Sequence, residues 1–433
     1  MSAYHCRPVG RPLDAVVTPP GSKSMTNRAL IAAALADGHS LLTGVLIADD
    51  TRLMFDALRA LGIPVTVDET GCVAEVTGCR GRLPVDEADL FCGNAGTVMR
   101  FCTALTATAQ GRFRIDGIER MRQRPIGGLV TALRALGTGI EYLETDGFPP
   151  IVVHAEGLRG GRLTLASPES SQMISALLLA APQANGDVMI EVTGDVPSVP
   201  YLKLTTAVMD QFGVTVVEQY DASGAKFIIE APQRYRAQTL AIEPDASSAT
   251  YFLAAPAIAG GRVTVEGLGT QSLQGDVGFV DVLEQMGCRI ERCPQRLTVI
   301  GPQPGQRLHG VNVDLSAMPD TVPTLAVVAL FADGPTVIRN VANLRVKECD
   351  RLAALRCELS KLGAVVEELP DGLRIVPPSQ PCAAQIDTYN DHRLAMSFAL
   401  AGLRCESLVI HDPQCCEKTF PDFFQRFEAM SAL

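Results

Sequence analysis

Six stretches of the chain share one pattern, a small or polar loop followed by an Ala/Leu-rich run with hardly a charge in it. They are SKSMTNRALIAAALA from Ser22, GNAGTVMRFCTALTA from Gly93, SPESSQMISALLLAA from Ser167, PDASSATYFLAAPAIA from Pro244, MPDTVPTLAVVALFA from Met318 and YNDHRLAMSFALAG from Tyr389. Successive starts lie about 71 to 77 residues apart, the signature of an internal repeat. A second landmark keeps the same time: amphipathic segments such as DDTRLMFDALRALGIPV end on Gly62, Gly137, Gly213, Gly287 and Gly363. In the first of these, Leu53, Met54, Ala57, Leu58 and Leu61 form an apolar stripe, with Arg52, Asp56 and Arg59 off it. The glycine predicts a helix C-terminus and the β-prone IPVTV after it a strand. Each repeat thus predicts one buried helix, one half-exposed helix and several short strands. Six copies make an α/β protein, with a solenoid as the alternative packing.

A helix that is apolar on nearly all sides belongs inside a domain, yet its N-terminus has to surface. Free N–H groups and the positive end of the dipole make such an end an anion site. The first one, TPPGSKSMTNRAL, has the look of a nucleotide phosphate loop, but Gly21 and Lys23 are split by Ser22 and Val16 stands where the loop's leading glycine is required. The polar residues at the six helix mouths and nearby loops form a biased set: Lys23, Ser24, Arg28, Asn94, Gly96, Arg100, Arg124, Ser170, Ser171, Gln172, Asp320, Lys347, Glu348, Arg351, His392, Arg393 and Lys418. Eight of them are cationic in a chain of net charge -11. Local basic focus on an acidic background points to a small substrate with several negative charges, such as a phosphate plus carboxylates.

The acidic balance argues against nucleic acid as a partner. Hydrophobic content of 47% with only 5% aromatic residues suits a well-packed globular protein of two or three domains. No apolar run reaches the length of a membrane span, and MSAYHCRPVGRPLD has no apolar core of a secretory signal. Thirteen cysteines without CxxC pairs or regular His spacing predict reduced thiols in a cytoplasmic setting and no metal site.

Each motif also has a plain structural reading. Ser22, Ser24 and Thr26 suit helix capping, RQRPIGGLV an exposed loop opening a helix, and ESSQM a serine-rich helix start. NLRVKECDRLAAL has the charges of a solvated face, and YNDHR suits a turn and cap with His392 as a structural histidine. These readings weaken in combination, because shared ancestry of the repeats explains their architecture but not their differing polar decoration. Asp320 and Glu348 are the acid/base candidates, set among cations that favour their charged forms until burial or a bound anion intervenes. No nucleophilic triad is evident.

The stretches PGSKSMTNRAL, GNAGTVMR, RQRPIGGLV, ESSQM, PSVPYLKLT, PDASSATYFLAA, NLRVKECDRL, YNDHRLAM and EKTFPDFF closely resemble the 5-enolpyruvylshikimate-3-phosphate synthases, enolpyruvyl transferases of the shikimate pathway. They run from near one end of the chain to the other. The resemblance implies a two-domain inside-out α/β barrel of six βαβαββ repeats, three per domain. Residues 21–240 would form one domain and 1–20 plus 241–433 the other, with crossovers near 20 and 241 and the active site in a closing cleft. The implied reaction moves the enolpyruvyl group of phosphoenolpyruvate to the 5-hydroxyl of shikimate 3-phosphate by addition and elimination, with no cofactor or metal, in a cytoplasmic monomer.

By the same resemblance, Lys23, Ser24, Arg28, Ser170, Ser171, Gln172, Ser198, Tyr201, Asp320, Asn343 and Lys347 would hold shikimate 3-phosphate. Lys23, Asn94, Gly96, Arg124, Gln172, Arg351, Arg393 and Lys418 would hold phosphoenolpyruvate. Asp320 matches the family's proton acceptor and Glu348 its proton donor, with Lys23 able to share proton transfer. Gly96 fits a member that admits the inhibitor glyphosate. Leu344 departs from the tryptophan of many members, and Glu169 puts an acid beside the phosphate-gripping serines. The sister transferases acting on UDP-N-acetylglucosamine carry a mobile-loop cysteine that GRFRIDGIERMRQRPIGG lacks. A third reading is a catalytically silent repeat protein that binds anions, against which the pair Asp320 and Glu348 counts.

Overall fold

The chain is described by a computed structural model covering residues 3–303 and 305–432. It divides into two compact units, one of residues 21–242 and one of residues 1–20 with 243–433. Among the described residues, six sheets carry the fold. In five of them two strands pair in parallel, and two antiparallel strands complete the four. The sheet of Glu87–Phe91 shows why: the helix Gly96–Ala107 crosses over between it and its parallel neighbour Gln110–Asp116, and Ile151–Glu156 and Gly139–Tyr142 follow as a hairpin. The sixth sheet is closed by the N-terminus, Ala3–His5 pairing antiparallel with Val409–His411 beside Gln385–Ile386.

Two strands are exchanged. Leu13–Val17 precedes the helix Lys23–Leu35 but pairs with Gly261–Glu266, whereas the strand after that helix, His39–Thr43, pairs with Thr239–Ala241. The backbone changes unit between these paired segments, at 20–21 and 242–243. Gly21 is needed at the first change, since a Cβ there would lie 1.9 Å from the Gly44 carbonyl oxygen.

Each repeat's apolar helix is buried. Lys23–Leu35 is covered from Met25 to Leu35, Ala246–Ala259 from Ala246 to Ile258, and Val322–Val328 throughout. In the unit of residues 1–20 and 243–433, hydroxyls link three such helices: Thr250 and Thr324 lie 3.0 Å apart, and Thr324 and Ser397 3.5 Å. Paired this way, buried hydroxyls avoid the cost of desolvation without a partner. The second helix of the first repeat, Asp49–Ala60, buries Met54, Phe55, Ala57 and Leu58 and exposes Arg52, Asp56 and Arg59. The five landmark glycines follow these second helices with φ of +76°, +94°, +79°, +105° and +92°, the left-handed conformation that ends a helix without a Cβ clash. All thirteen cysteines are free thiols.

Candidate active site

In the unit of residues 21–242, Ser22 caps the first buried helix by accepting from the Met25 N–H at 3.3 Å, so Lys23 is the first helical residue. Its ammonium donates to Asp50 Oδ2 at 3.0 Å. Asp50 lies in the first turn of Asp49–Ala60, where the helix dipole favours a carboxylate. Arg28 sits one turn deeper and is 2% exposed. Its Nε donates to Thr205 Oγ1 at 2.7 Å, and its terminal nitrogens donate to the carbonyls of Ser24 (2.9 Å) and Tyr201 (3.3 Å) and to Ser175 Oγ (3.2 Å). Burial lowers its pKa to about 10, against the opposing pull of Tyr201, and it remains a cation at neutral pH. Arg28 therefore braces the helices Lys23–Leu35, Ser171–Ala180 and Val199–Gln211 and fixes the backbone that presents Ser24.

At the second helix mouth, Arg124 donates to the Asn94 carbonyl at 2.9 Å and to its side-chain oxygen at 3.2 Å. Arg100 reaches back to the Gly96 carbonyl (3.0 Å) and across to that of Pro125 (2.7 Å). A Cβ on Gly96 would lie 2.6 Å from Arg124 and 2.8 Å from Arg100, so the absent side chain makes room for two guanidinium groups. The loop carrying Arg124 is tied down by Asp116, which accepts from Arg122 at 3.0 and 2.8 Å. At the third mouth Ser170 caps Ser171–Ala180 through the Gln172 N–H at 3.2 Å, and Ser171 is buried. Glu169 is exposed. Ser198, with φ of 48°, starts the helix bearing Tyr201.

In the other unit the cationic and acidic candidates meet on Arg351, which is 1% exposed. It donates to Asp391 Oδ2 (2.7 Å) and Oδ1 (3.3 Å), to Glu348 Oε2 (2.9 Å) and to Asp320 Oδ1 (3.1 Å). Burial alone would lower its pKa, but Asp391, Glu348 and Asp320 outweigh it and raise the value. Arg393 donates to Asp320 Oδ2 at 2.7 Å, Lys347 stands 4.0 Å from Asp320, and Lys418 stands 4.0 Å from Glu348. Asp320 lies in a 3-10 turn, Pro319–Thr321, that leads into Val322–Val328. Lys347 and Glu348 precede the helix Arg351–Lys361, which Asp350 caps, so they lie in the turn ahead of it and not on a helix face. The buried amide oxygen of Asn343 has no hydrogen-bond donor among the described residues. His392 is buried, its Nδ1 3.7 Å from Asp391 Oδ1.

Sequence reasoning passed over Asp50, Asp116 and Asp391 as functional residues. Asp391 was visible as the cap of its helix, which it is, accepting from the Arg393 N–H at 2.9 Å. Its second task, holding Arg351, joins positions 40 apart and leaves no periodic trace. Asp50 had one signal, an acid in a helix first turn.

The fold is that of the enolpyruvyl transferases. It matches the solved EPSP synthase of Acinetobacter baumannii with a TM-score of 0.81 and 25% identity, over 99% of this chain and 98% of that one. Residues 9–427 match the family model of EPSP synthase (3-phosphoshikimate 1-carboxyvinyltransferase). Proteins of that name from Nostoc punctiforme and Shewanella piezotolerans are each 46% identical to the chain; the first match covers 98% of this chain and 97% of its relative, the second all of both. The chloroplastic relative of Arabidopsis thaliana is also 46% identical, over 97% of this chain and 83% of its own. The chain belongs to the EPSP synthase family.

Proposed function

We propose that the chain transfers the carboxyvinyl group of phosphoenolpyruvate to the 5-hydroxyl of shikimate 3-phosphate, releasing phosphate, on the route to chorismate and the aromatic amino acids. Family membership over nearly the full length supports the activity. The observation that carries the mechanism is that one buried guanidinium, Arg351, holds both carboxylates needed for proton transfer, Asp320 and Glu348.

In the addition step, Asp320 takes the proton of the 5-hydroxyl as the hydroxyl oxygen bonds to C2 of phosphoenolpyruvate, and Glu348, entering the step as the carboxylic acid, delivers its proton to C3. The tetrahedral intermediate then collapses: the Glu348 carboxylate takes a proton back from the new methyl group, the C2–C3 double bond re-forms, and the bond from C2 to the phosphate oxygen breaks, the phosphate leaving with the electron pair of that bond. Lys23, seated at a helix N-terminus, meets the phosphates and shares proton transfer. Arg124, Arg351, Arg393 and Lys418, with Asn94, Gly96 and Gln172, bind phosphoenolpyruvate. Ser24, Arg28, Ser170, Ser171, Gln172, Ser198, Tyr201, Asn343 and Lys347 bind shikimate 3-phosphate. Charge-assisted bonds of this kind are the strong ones, and fixed donors spare the cost of reorganisation as charge develops. The two anions are handled by a monomer in the cytoplasm, without nucleic acid or membrane; among the described residues no helix is long and apolar enough to cross a bilayer.

A phosphate-release assay with phosphoenolpyruvate and either acceptor tests the reading. Release with shikimate 3-phosphate alone is expected. Release with UDP-N-acetylglucosamine alone would assign the chain to the sister activity, and binding without release would make it a silent anion binder.

A further inference from the structure

Behind the Arg351–Asp391 pair lies a second set of contacts that the reaction as written does not use. Glu358 is on the same helix as Arg351, two turns on, and is fully buried. Its Oε1 accepts the Tyr389 hydroxyl at 2.7 Å, its Oε2 accepts the Asp387 N–H at 3.0 Å, and Lys361 Nζ lies 2.7 Å from Oε2. Lys361 also donates to Asp387 Oδ2 at 2.8 Å and to the Gln385 carbonyl at 3.2 Å. All of these fall on the segment that leads into Asp391.

That segment needs holding. Tyr389 and Asn390 have φ of 54° and 53°, a region disfavoured for residues with a Cβ. Two such residues in succession reverse the chain so that Asp391 points back at Arg351 and caps the Arg393 N–H. Tyr389 is 43% exposed as a residue, so core packing alone does not fix it and the hydroxyl bond to Glu358 adds a fixed point. Burial and the adjoining Glu358 push that hydroxyl's pKa well up, so it stays a donor.

We propose that Glu358 and Tyr389 form a positioning clamp that holds the 387–391 segment, and through Asp391 the guanidinium of Arg351 and the helix start that carries Arg393, in the arrangement that grips phosphoenolpyruvate. The clamp rests on the proposed function, since it assigns those two arginines to that substrate. Neither residue touches the reacting atoms. One helix is fastened to one loop at two points, Arg351–Asp391 and Glu358–Tyr389, and loosening the outer point frees the inner one to drift.

The test is steady-state kinetics of the full-length chain, each substrate varied in turn, for Tyr389→Phe and Glu358→Gln. Tyr389→Phe is expected to raise KM for phosphoenolpyruvate about tenfold while KM for shikimate 3-phosphate stays within about twofold. Glu358→Gln keeps an oxygen for the Tyr389 hydroxyl but gives up the Asp387 N–H, so its KM for phosphoenolpyruvate falls between those of the wild type and Tyr389→Phe. A purely structural role predicts a lower melting temperature with both KM values unchanged or raised alike, and that result overturns the clamp. A wild-type chain that turns over neither acceptor removes the functional reading and the clamp with it; wild-type turnover with unaltered Tyr389→Phe kinetics removes the clamp alone.

Discussion

Arg351 and Asp391 face each other at 2.7 Å with 1% and 0% of their side chains exposed. Such a pair contributes little over an apolar packing of the same shape, but removing one member strands a buried charge. Here the guanidinium would lose its most deeply buried partner while keeping Asp320 and Glu348, and the helix start that carries Arg393 would lose its cap. Asp391→Ala is therefore expected to destabilise its unit by about 2–4 kcal/mol. Denaturant unfolding measures this, and a loss under about 1 kcal/mol would mean that Arg351 finds its charge balance elsewhere.

The Lys23–Asp50 bond sets where the ammonium sits at the helix mouth. Asp50→Ala removes the carboxylate to which the Lys23 ammonium donates. Misplacing a catalytic group by an ångström costs on the order of a hundredfold, so kcat is expected to fall by about tenfold to a hundredfold with the fold intact. A kcat equal to wild type would show that Lys23 is positioned by the substrates and not by Asp50.

At Gly96 the added methyl of Gly96→Ala would have to displace the ends of Arg124 and Arg100, which are movable side-chain atoms and not backbone. If Arg124 binds phosphoenolpyruvate as proposed, KM for that substrate rises about tenfold, KM for shikimate 3-phosphate holds, and stability barely changes. Equal rises in both KM values would contradict this placement.

Asp276 links pH to stability. Burial, with the charge of Asp320 adding, pushes its carboxyl up to about 7, and Ser247 donates to it. In the unfolded chain the carboxyl titrates at about 3.9. The folded state thus keeps a proton that the unfolded state releases, so this contribution is complete below about pH 4 and is lost as pH rises to about 7. Within that window Asp276→Asn should remove a slope of up to about 1.4 kcal/mol per pH unit. Parallel stability–pH curves for the two proteins would show that Asp276 is ionised throughout.

The repeat was legible because it rests on local patterns. Apolar runs fixed the buried helices, and Gly62, Gly137, Gly213, Gly287 and Gly363 all take the left-handed conformation their positions required. The pairing of Leu13–Val17 with Gly261–Glu266 was not legible in the local pattern, because a short β-prone segment carries no mark of which distant strand it joins; only the family resemblance grouped residues 1–20 with 241–433. The cations of the site stood out as charges at the mouths of apolar helices. Their partners did not: Asp50 meets Lys23 across 27 positions, Asp391 meets Arg351 across 40, and Glu358 meets Tyr389 across 31. Arg28 shows another limit, since the sequence marked its charge at the helix mouth but not its second task as an internal brace against Thr205, Ser175 and Phe101.

The central claim, that Asp320 takes the proton of the attacking hydroxyl while Arg351 and Arg393 hold it in place, is tested most directly by the turnover of Asp320→Ala with phosphoenolpyruvate and shikimate 3-phosphate. General-base assistance is worth about a hundredfold to ten-thousandfold, so turnover should fall by that order while both ligands still bind. Turnover equal to wild type would take Asp320 out of the mechanism.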